Sequence, residues 1–212
     1  MVAFGTAMRG PAGLIVLAAI AAALFGGLAV AVETNGVAGF DETVRMALHG
    51  LASPLLTPLA ETVTWLGSLG VLALFGVVAV AVLLQAERRD GAGLLTVIMA
   101  GALVLENRLK LSFQRARPPP FFGSELTTYS FPSGHALFSL CFYGGLVIAA
   151  ARAVQSGALK KGIWIATVFL VLVIGGTRIY LGVHYPSDVL GGYLVAIAWI
   201  AIVLFAEQRI GS

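Results

Sequence analysis

Long uninterrupted apolar runs are the feature of this 212-residue sequence that most restricts its fold. The sequence is 59% hydrophobic and only 11% charged, whereas soluble globular domains carry about 25% charged residues. The few charged side chains lie between the apolar runs instead of along polar helix faces. Because a helix needs about 20 apolar residues to cross a hydrocarbon core of roughly 30 Å, this pattern predicts an all-α integral membrane protein with several spans.

Six apolar segments are long enough, or nearly so, to cross a bilayer. The predicted spans are residues 11–32, 67–85, 91–109, 134–151, 162–180 and 189–205. The first is longer than the apolar core of a signal peptide, which has about 7–15 residues, so we expect it to be retained although Ala29-Val30-Ala31 resembles a signal-peptidase site. No linker or second domain stands out, and residues 1–212 are predicted to form one six-helix transmembrane domain.

The distribution of Lys and Arg predicts how the protein lies in the membrane. One set of span ends carries Arg9, Arg88, Arg89, Arg152, Lys160, Lys161 and Arg209, and the other carries Arg45, Arg108, Lys110, Arg115, Arg117 and Arg178. Three members of the second set, Lys110, Arg117 and Arg178, are predicted to bind an anion, and without them the first set is the more basic. Since cytoplasmic loops are enriched in Lys and Arg, both termini are predicted to be cytoplasmic.

The segment between the first two predicted spans has helical periodicity. Apolar residues recur there at helical spacing, with acidic and basic residues between them: Phe40, Val44, Leu48 and Leu51 against Asp41, Glu42 and Arg45. This pattern predicts an amphipathic helix in the outer membrane interface. Glu61, just before the second span, either faces the functional site or lies at the interface, and the sequence leaves that open.

Three clusters of polar residues stand out against the apolar background. KLSFQRARP, at 110–118, follows the third span; FPSGHA, at 131–136, precedes the fourth; TRIYLGVHYPSD, at 177–188, joins the fifth to the sixth. Successive spans run antiparallel, so all three clusters are predicted to meet at one membrane surface. In the orientation given above, that surface is the outer one.

The residue types in these clusters predict a site for phosphate. Lys110, Arg117 and Arg178 supply one ammonium and two guanidiniums, and guanidiniums bind phosphate oxygens in a bidentate manner. Pro132 can occupy the first turn of the fourth span, where its missing N–H costs little. The backbone N–H groups of Ser133, Gly134 and His135 would then be free at a helix N-terminus. The hydroxyl of Ser133 could donate a further hydrogen bond.

Two histidines supply the further groups that cleavage of a phosphate ester needs. One must attack phosphorus and the other must protonate the departing oxygen. His184 has Asp188 four residues on, and this carboxylate can accept the proton on one ring nitrogen and leave the other as a nucleophile. His135 has no such carboxylate nearby in sequence and is predicted to be the acid.

Together the clusters resemble the signature of the type 2 phosphatidic acid phosphatase superfamily, which also includes vanadium haloperoxidases and bacterial acid phosphatases. The family pattern is a lysine separated by six residues from Arg-Pro, then Pro-Ser-Gly-His, then an arginine followed by a histidine and an aspartate. Here the pattern falls on Lys110 and Arg117-Pro118, on Pro132 to His135, and on Arg178, His184 and Asp188. The third cluster commonly starts with Ser-Arg, whereas this chain has Thr177-Arg178.

The resemblance implies an enzyme that needs neither a metal nor another cofactor. In the family the histidine at position 184 forms a phosphohistidine, the aspartate at 188 orients it, and the histidine at 135 protonates the leaving group and then activates water. The phosphoryl oxygens are held by the remaining signature residues, here Lys110, Arg117, Ser133, Gly134 and Arg178. The roles of Glu106, spaced to pair with Lys110, and of Arg115 stay open.

The predicted function is hydrolysis of a lipid phosphate monoester or diphosphate in a bacterial cytoplasmic membrane, at its outer face. Phosphatidate, phosphatidylglycerophosphate and polyprenyl diphosphates all fit, and the formal net charge of +3 does not require a nucleic-acid partner. A phosphotransferase would carry the same motifs, and a vanadate-dependent oxidant would use the same site. A non-catalytic lipid transporter is disfavoured because the charged clusters lie at span ends instead of near mid-membrane. The oligomeric state is not indicated.

Overall fold

The protein folds into a helical bundle, as the sequence predicts. The computed structural model describes residues 10–124, 126–150 and 156–210, and its regular elements there are helices. In chain order they are α1 (Pro11–Glu33), α2 (Ala38–His49), α3 (Leu56–Thr64), α4 (Leu69–Gln85), α5 (Arg89–Phe113), α6 (Gly134–Ala150), α7 (Gly157–Tyr180) and α8 (Pro186–Ile210). A short 3-10 turn, Trp65–Gly67, joins α3 to α4, and α6 contains a π-helical turn at Leu140–Gly144.

Four helices, α1, α5, α7 and α8, are long and apolar enough to cross a membrane. A fifth span results if Leu56–Gly67 and α4, which meet at a bend of 49°, are taken as one. Helix α6 is apolar but shorter. Each of the six predicted segments therefore coincides with a helix, and length and composition support four or five of them as spans. Arg9, Arg152 and Ala151, the end of the fourth predicted segment, lie outside the described residues.

Residues at the helix ends explain why several elements start and stop where they do. Pro11 and Pro186 are the first residues of α1 and α8, a position where proline loses no hydrogen bond. The hydroxyl of Ser68 accepts a hydrogen bond from the backbone of Val71 and caps α4. Helix α5 ends at Phe113, and the left-handed conformation of the next residue, Gln114 (φ 45°), turns the chain away from the helix axis.

The main core lies between α4, α5, α6 and α8, and α1 packs along α8. Small residues allow these helices to approach closely. A Cβ at Gly101 of α5 would overlap the indole of Trp199, whose Nε1 donates to the carbonyl of Ile98 at 2.9 Å. The outer surface of the bundle is apolar, with Val77 and Phe169 about 70% and 69% exposed, which suits contact with lipid tails.

Helix α2 turns Asp41 and Arg45 toward the protein. Asp41 and Arg45 are 1% and 6% exposed, whereas Phe40 is 50% exposed. The predicted amphipathic helix is present, and its inner side carries both kinds of residue: Asp41 and Arg45 are buried there and Leu48 packs on the bundle, whereas Glu42 is exposed. Arg45 donates to the carbonyl of Pro119, and its guanidinium lies 4.1 Å from the ring centroid of Phe121. Helix α2 thereby contacts the segment that follows α5 at Pro119 and Phe121.

Candidate active site

The three polar clusters meet at one end of the bundle, as their alternation along the chain predicts. They surround a cavity of about 330 Å³ whose polar lining includes Glu106, Asn107, Lys110, Arg117, Thr128, His135, Arg178 and His184. The end of α5, the first turn of α6, the end of α7 and the loop before α8 each supply part of this wall. The sequence left open whether Glu61 faces the functional site. In the structure Glu61 is exposed and does not line the cavity.

The imidazole of His184 is 1% exposed and is held from both sides. Its Nδ1 lies 3.2 Å from Oδ2 of Asp188, and its Nε2 lies 2.9 Å from Nη1 of Arg117. A guanidinium can only donate, so Nε2 must accept and Nδ1 must carry the proton that Asp188 accepts. The lone pair on Nε2 therefore points toward the cavity side of the ring, where Arg117 lies.

Asp188 is fully buried behind His184, outside the cavity wall. Its Oδ2 also accepts from the backbone N–H of Tyr185 at 2.8 Å and from the hydroxyl of Ser130. Its Oδ1 accepts from Nη1 of Arg115 at 2.6 Å. Both oxygens are thus bonded, and the carboxylate has one orientation that serves the Nδ1–H of His184.

Arg117 is fixed by the backbone around it. Its Nε donates to the carbonyl of Thr128 at 2.8 Å, its Nη2 to the hydroxyl of Thr128 at 2.9 Å, and its Nη1 to the carbonyl of Val183 at 2.8 Å. The guanidinium is therefore already oriented at the cavity wall beside His184. The planar fork with five donors makes this arrangement specific to arginine.

The other two predicted phosphate-binding cations are each held by one partner. Nζ of Lys110 lies 2.5 Å from Oε1 of Glu106, one helical turn earlier on α5. Nη1 of Arg178 donates to the hydroxyl of Thr64 at 2.7 Å, while its Nε is buried with no hydrogen-bond partner among the described residues. A buried unpaired donor at a cavity wall is satisfied when an anion binds there.

The first turn of α6 differs from the prediction. Helix α6 begins at Gly134, with Ser133 as the extended residue before it, so Pro132 precedes the helix instead of occupying its first turn; the Phe131–Pro132 bond is cis. The backbone N–H of Ser133 is not free, because it donates to the carbonyl of Asp188 at 2.9 Å. The hydroxyl of Ser133 is buried without a partner among the described residues.

A close approach of α8 to α6 makes that backbone contact possible. A Cβ at Gly192 would lie 2.6 Å from the carbonyl oxygen of Ser133, so a larger residue would push the two helices apart. On the other side, a Cβ at Gly134 would lie 2.8 Å from Oε1 of Glu106. The motif glycine therefore lets the carboxylate that pairs with Lys110 lie against the start of α6.

Arg115, whose role the sequence leaves open, is part of a buried ionic network. It donates to Asp188, to the hydroxyl of Ser187 at 2.8 Å and to Oδ2 of Asp41 at 2.8 Å. The sequence placed Asp41 on the amphipathic helix but gave it no role in the site. The signal for it was weak: an acidic residue on an amphipathic helix, 146 positions from Ser187, which it contacts.

Burial and charge set the protonation of the groups outside the spans. Burial, together with the cationic Arg117 and Arg178, lowers the pKa of His184 to about 3, although Asp188 acts in the opposite direction. Burial also lowers the pKa of Arg117. For Arg115 burial acts to lower the pKa, but Asp188 and Asp41 outweigh it and the pKa is raised. At neutral pH, His184 is therefore uncharged and the arginines are cationic.

Basic side chains and an uncharged buried imidazole around one cavity, at the end of a membrane-spanning helical bundle, define a membrane-bound enzyme of phosphate-ester chemistry. Comparison with known proteins gives the family. The PAP2 superfamily model matches residues 91–211, and the chain belongs to that superfamily.

The relatives of the chain are lipid phosphatases. Phosphatidylglycerophosphatase B of Bacillus subtilis is 29% identical over 86% of this chain and 91% of its own length. Undecaprenyl-diphosphatase of Sulfolobus acidocaldarius is 28% identical over 62% of each chain. Lipid A 1-phosphatase of Rhizobium etli is 33% identical over 48% of this chain and 44% of its own. The chain is thus an enzyme of a lipid phosphatase family.

Solved structures agree on the fold. The crystal structure of the transmembrane PAP2-type phosphatidylglycerolphosphate phosphatase from Bacillus subtilis superimposes with a TM-score of 0.84 at 26% identity, covering 92% of this chain and 97% of that one. The structure of LpxE from Aquifex aeolicus gives a TM-score of 0.59 at 24% identity, covering 78% and 94%, and supports the fold alone.

Proposed function

We propose that this enzyme hydrolyses a lipid phosphate through a phosphohistidine on His184. The observation that carries the lipid assignment is the continuity of two cavities. A groove of about 560 Å³ runs between α4 and α5 and is lined almost entirely by apolar side chains. Leu69 and Leu103 line both this groove and the polar cavity. A molecule with a phosphate head and a hydrocarbon tail matches that change from polar to apolar wall.

The geometry supports the following first step. The Nε2 lone pair of His184 forms a bond to phosphorus, and the bond from phosphorus to the leaving oxygen breaks. That oxygen keeps the electron pair and takes a proton from His135, so the lipid product leaves neutral at this oxygen. The imidazole, now bonded to phosphorus with its Nδ1–H retained, gains a positive charge that Asp188 stabilises.

Water completes the reaction. Neutral His135 takes a proton from water as its oxygen bonds to phosphorus, and the N–P bond breaks with its electrons returning to Nε2. Orthophosphate leaves, and both histidines have their starting protonation. Lys110, Arg117 and Arg178, with the Ser133 hydroxyl and the Gly134 amide, balance the charge on the phosphoryl oxygens.

Arg117 has to change partner in this scheme. Its Nη1 now donates to the nitrogen that must attack, at 2.9 Å. A phosphate oxygen is a stronger acceptor than an imidazole nitrogen because it carries negative charge. Binding of phosphate thus draws the Nη1 donor onto an oxygen and frees the lone pair of His184.

The proposal includes the placement in the membrane. We take α1, the bent pair of Leu56–Gly67 with α4, and α5 to α8 as six spans, with both termini in the cytoplasm and the cavity at the extracytoplasmic face of a bacterial cytoplasmic membrane. Arg88, Arg89, Lys160 and Lys161, at the end of the bundle away from the cavity, support this orientation. The relative that covers most of the chain favours phosphatidylglycerophosphate as the substrate.

Phosphate release by the purified enzyme in detergent tests the function. Phosphatidylglycerophosphate, phosphatidate and undecaprenyl diphosphate are compared, with and without EDTA, for the wild type and for His184→Ala. We expect turnover of at least one lipid, no loss with EDTA, a ³²P-labelled protein when turnover of a ³²P-labelled lipid is quenched in alkaline detergent, where a phosphohistidine is stable, and a fall of about 10⁴-fold or more in the variant. Normal turnover by His184→Ala, or an EDTA-sensitive rate, would contradict the mechanism.

The groove is tested with a bulky residue at the junction. Leu103→Trp should raise the KM for long-chain lipid phosphates about tenfold, because the indole fills the passage between groove and cavity. A water-soluble aryl phosphate should be unaffected. Val104→Trp, at the next and lipid-exposed position, is the matched control. If both variants affect the long-chain substrate equally, the groove does not bind the lipid tail.

A further inference from the structure

A buried carboxylate far from the signature motifs is connected to the catalytic aspartate. Asp41, in the first turn of α2, is 1% exposed. Its Oδ1 accepts from the backbone N–H of Ser187 at 2.9 Å, and its Oδ2 accepts from the Ser187 hydroxyl at 2.6 Å and from Nη2 of Arg115 at 2.8 Å. An ionised group so deeply buried needs such a set of donors.

Arg115 joins this carboxylate to Asp188. Its Nη2 goes to Asp41, and its Nη1 goes to Oδ1 of Asp188 at 2.6 Å. The ring of Tyr185 covers the guanidinium, with the centroid 4.2 Å from Cζ. One planar cation is therefore shared between two buried carboxylates, and Asp188 reaches His184 with its other oxygen.

We propose that Asp41 and Arg115 are positioning residues of the active site, which act on His184 through Asp188. This inference rests on the proposed role of His184 as the nucleophile. Two carboxylates and one guanidinium sum to one negative charge, so a net negative charge remains to stabilise the imidazolium of the phosphoenzyme. The shared guanidinium also prevents Asp188 from rotating, because Oδ1 is already bonded.

Loss of Asp41 should therefore slow chemistry through charge, and loss of the Arg115 fork should slow it by releasing Oδ1 of Asp188, in both cases without weakening phosphate binding. Without the charge of Asp41, Arg115 balances Asp188 alone, and the developing imidazolium has less negative charge to oppose it. Neither Asp41 nor Arg115 lines the cavity, so the contacts to the phosphoryl oxygens stay in place.

A double-mutant cycle between Asp41→Asn and Asp188→Asn tests the connection. Rates are measured with an aryl phosphate, whose good leaving group keeps slow variants measurable. We expect Asp41→Asn to lower kcat on the order of tenfold, the size seen when a partner that orients a functional ligand is lost, with KM within twofold of wild type. In the Asp188→Asn background the same change should have no further effect.

Glu42→Gln is the matched control, since it removes the same charge from the neighbouring, exposed position of α2. It should leave kcat unchanged. Thermal melting is recorded for every variant. If Asp41→Asn melts early, Arg115→Lys takes its place, because it keeps the charge but loses the fork that bridges both carboxylates.

Three results would overturn the proposal: unchanged kcat in folded Asp41→Asn, effects that add fully to those of Asp188→Asn, or failure of both variants to fold. These outcomes are distinct from failure of the proposed function. That failure would appear as normal turnover by His184→Ala, whatever the cycle gives.

Discussion

The two parts of the chain contribute to the site in different ways. Residues 89–210 carry both cavity histidines and all three cavity cations, and the family model, at residues 91–211, covers nearly the same part. Residues 10–85 supply one apolar wall residue, Leu69, and two side chains that hold others from behind, Asp41 and Thr64. The groups placed to react are thus concentrated in one part, and their orientation depends on the other. Substitutions in residues 89–210 should therefore reduce activity severely, and substitutions in residues 10–85 should reduce it moderately.

Asp188→Asn should give the largest loss among the substitutions that keep His184. An amide in place of the carboxylate can present its NH₂ to Nδ1, which would favour the wrong tautomer and remove the counter-charge. We expect kcat to fall about 10³- to 10⁴-fold. Asp90→Asn is the control, because Asp90 is exposed and lies at the end of α5 that is far from the cavity. A fall below tenfold would mean that the two parts of the chain differ less than their contacts indicate.

The next largest expected effect is the shift in the pKa of His184. Burial disfavours the charged ring, so the neutral form should persist as the pH falls, and protonation should occur only near pH 3. In the unfolded chain the same histidine should have a pKa of about 6.5. ¹⁵N-histidine NMR of the detergent-solubilised protein from pH 8 to 5 measures this directly, with His184→Ala for assignment. A ring that protonates near pH 6.5 in the folded protein would contradict the environment described for it.

Arg117→Lys should reduce kcat/KM by about 10²-fold. Lysine keeps the charge, but its three donors at one nitrogen cannot replace the planar fork that bonds two groups of Thr128, the carbonyl of Val183 and a phosphate oxygen, and loss of one oriented donor has an effect of about this size. Arg108→Lys, on the exposed side of α5, controls for the substitution. If lysine serves as well at position 117, the position requires only charge.

Thr64→Val, a substitution in residues 10–85, should have a smaller effect than Asp188→Asn or Arg117→Lys. It removes the acceptor that holds Nη1 of Arg178 at 2.7 Å. A hydrogen bond to a charged group contributes about 1.5 kcal/mol, so kcat/KM should fall about tenfold. Thr62→Val, at an exposed position that bonds only within its own helix, is the comparison. A loss as large as that of Arg117→Lys would erase the distinction between the two parts.

Features that depend on neighbours in sequence were predictable. The apolar runs predicted the helices, the alternation of spans predicted that the clusters meet, and the spacing of His184 and Asp188 predicted their contact. The contacts of Asp41 with Arg115 and of Thr64 with Arg178 were not predictable, because each joins residues more than 70 positions apart. The occupied N–H of Ser133 was missed for the same reason: its acceptor, the carbonyl of Asp188, is brought close only by the packing of α8 on α6.

The hydrogen bond between Arg117 and Nε2 of His184 has a consequence for which molecules can react. In the proposed mechanism, the lone pair that attacks phosphorus is covered until an anion attracts the guanidinium. An uncharged electrophile, such as the carbonyl ester of an ordinary phospholipid, offers the guanidinium no such exchange and meets a masked nitrogen. In a membrane crowded with acyl esters, the enzyme would discriminate by charge before any bond is made or broken.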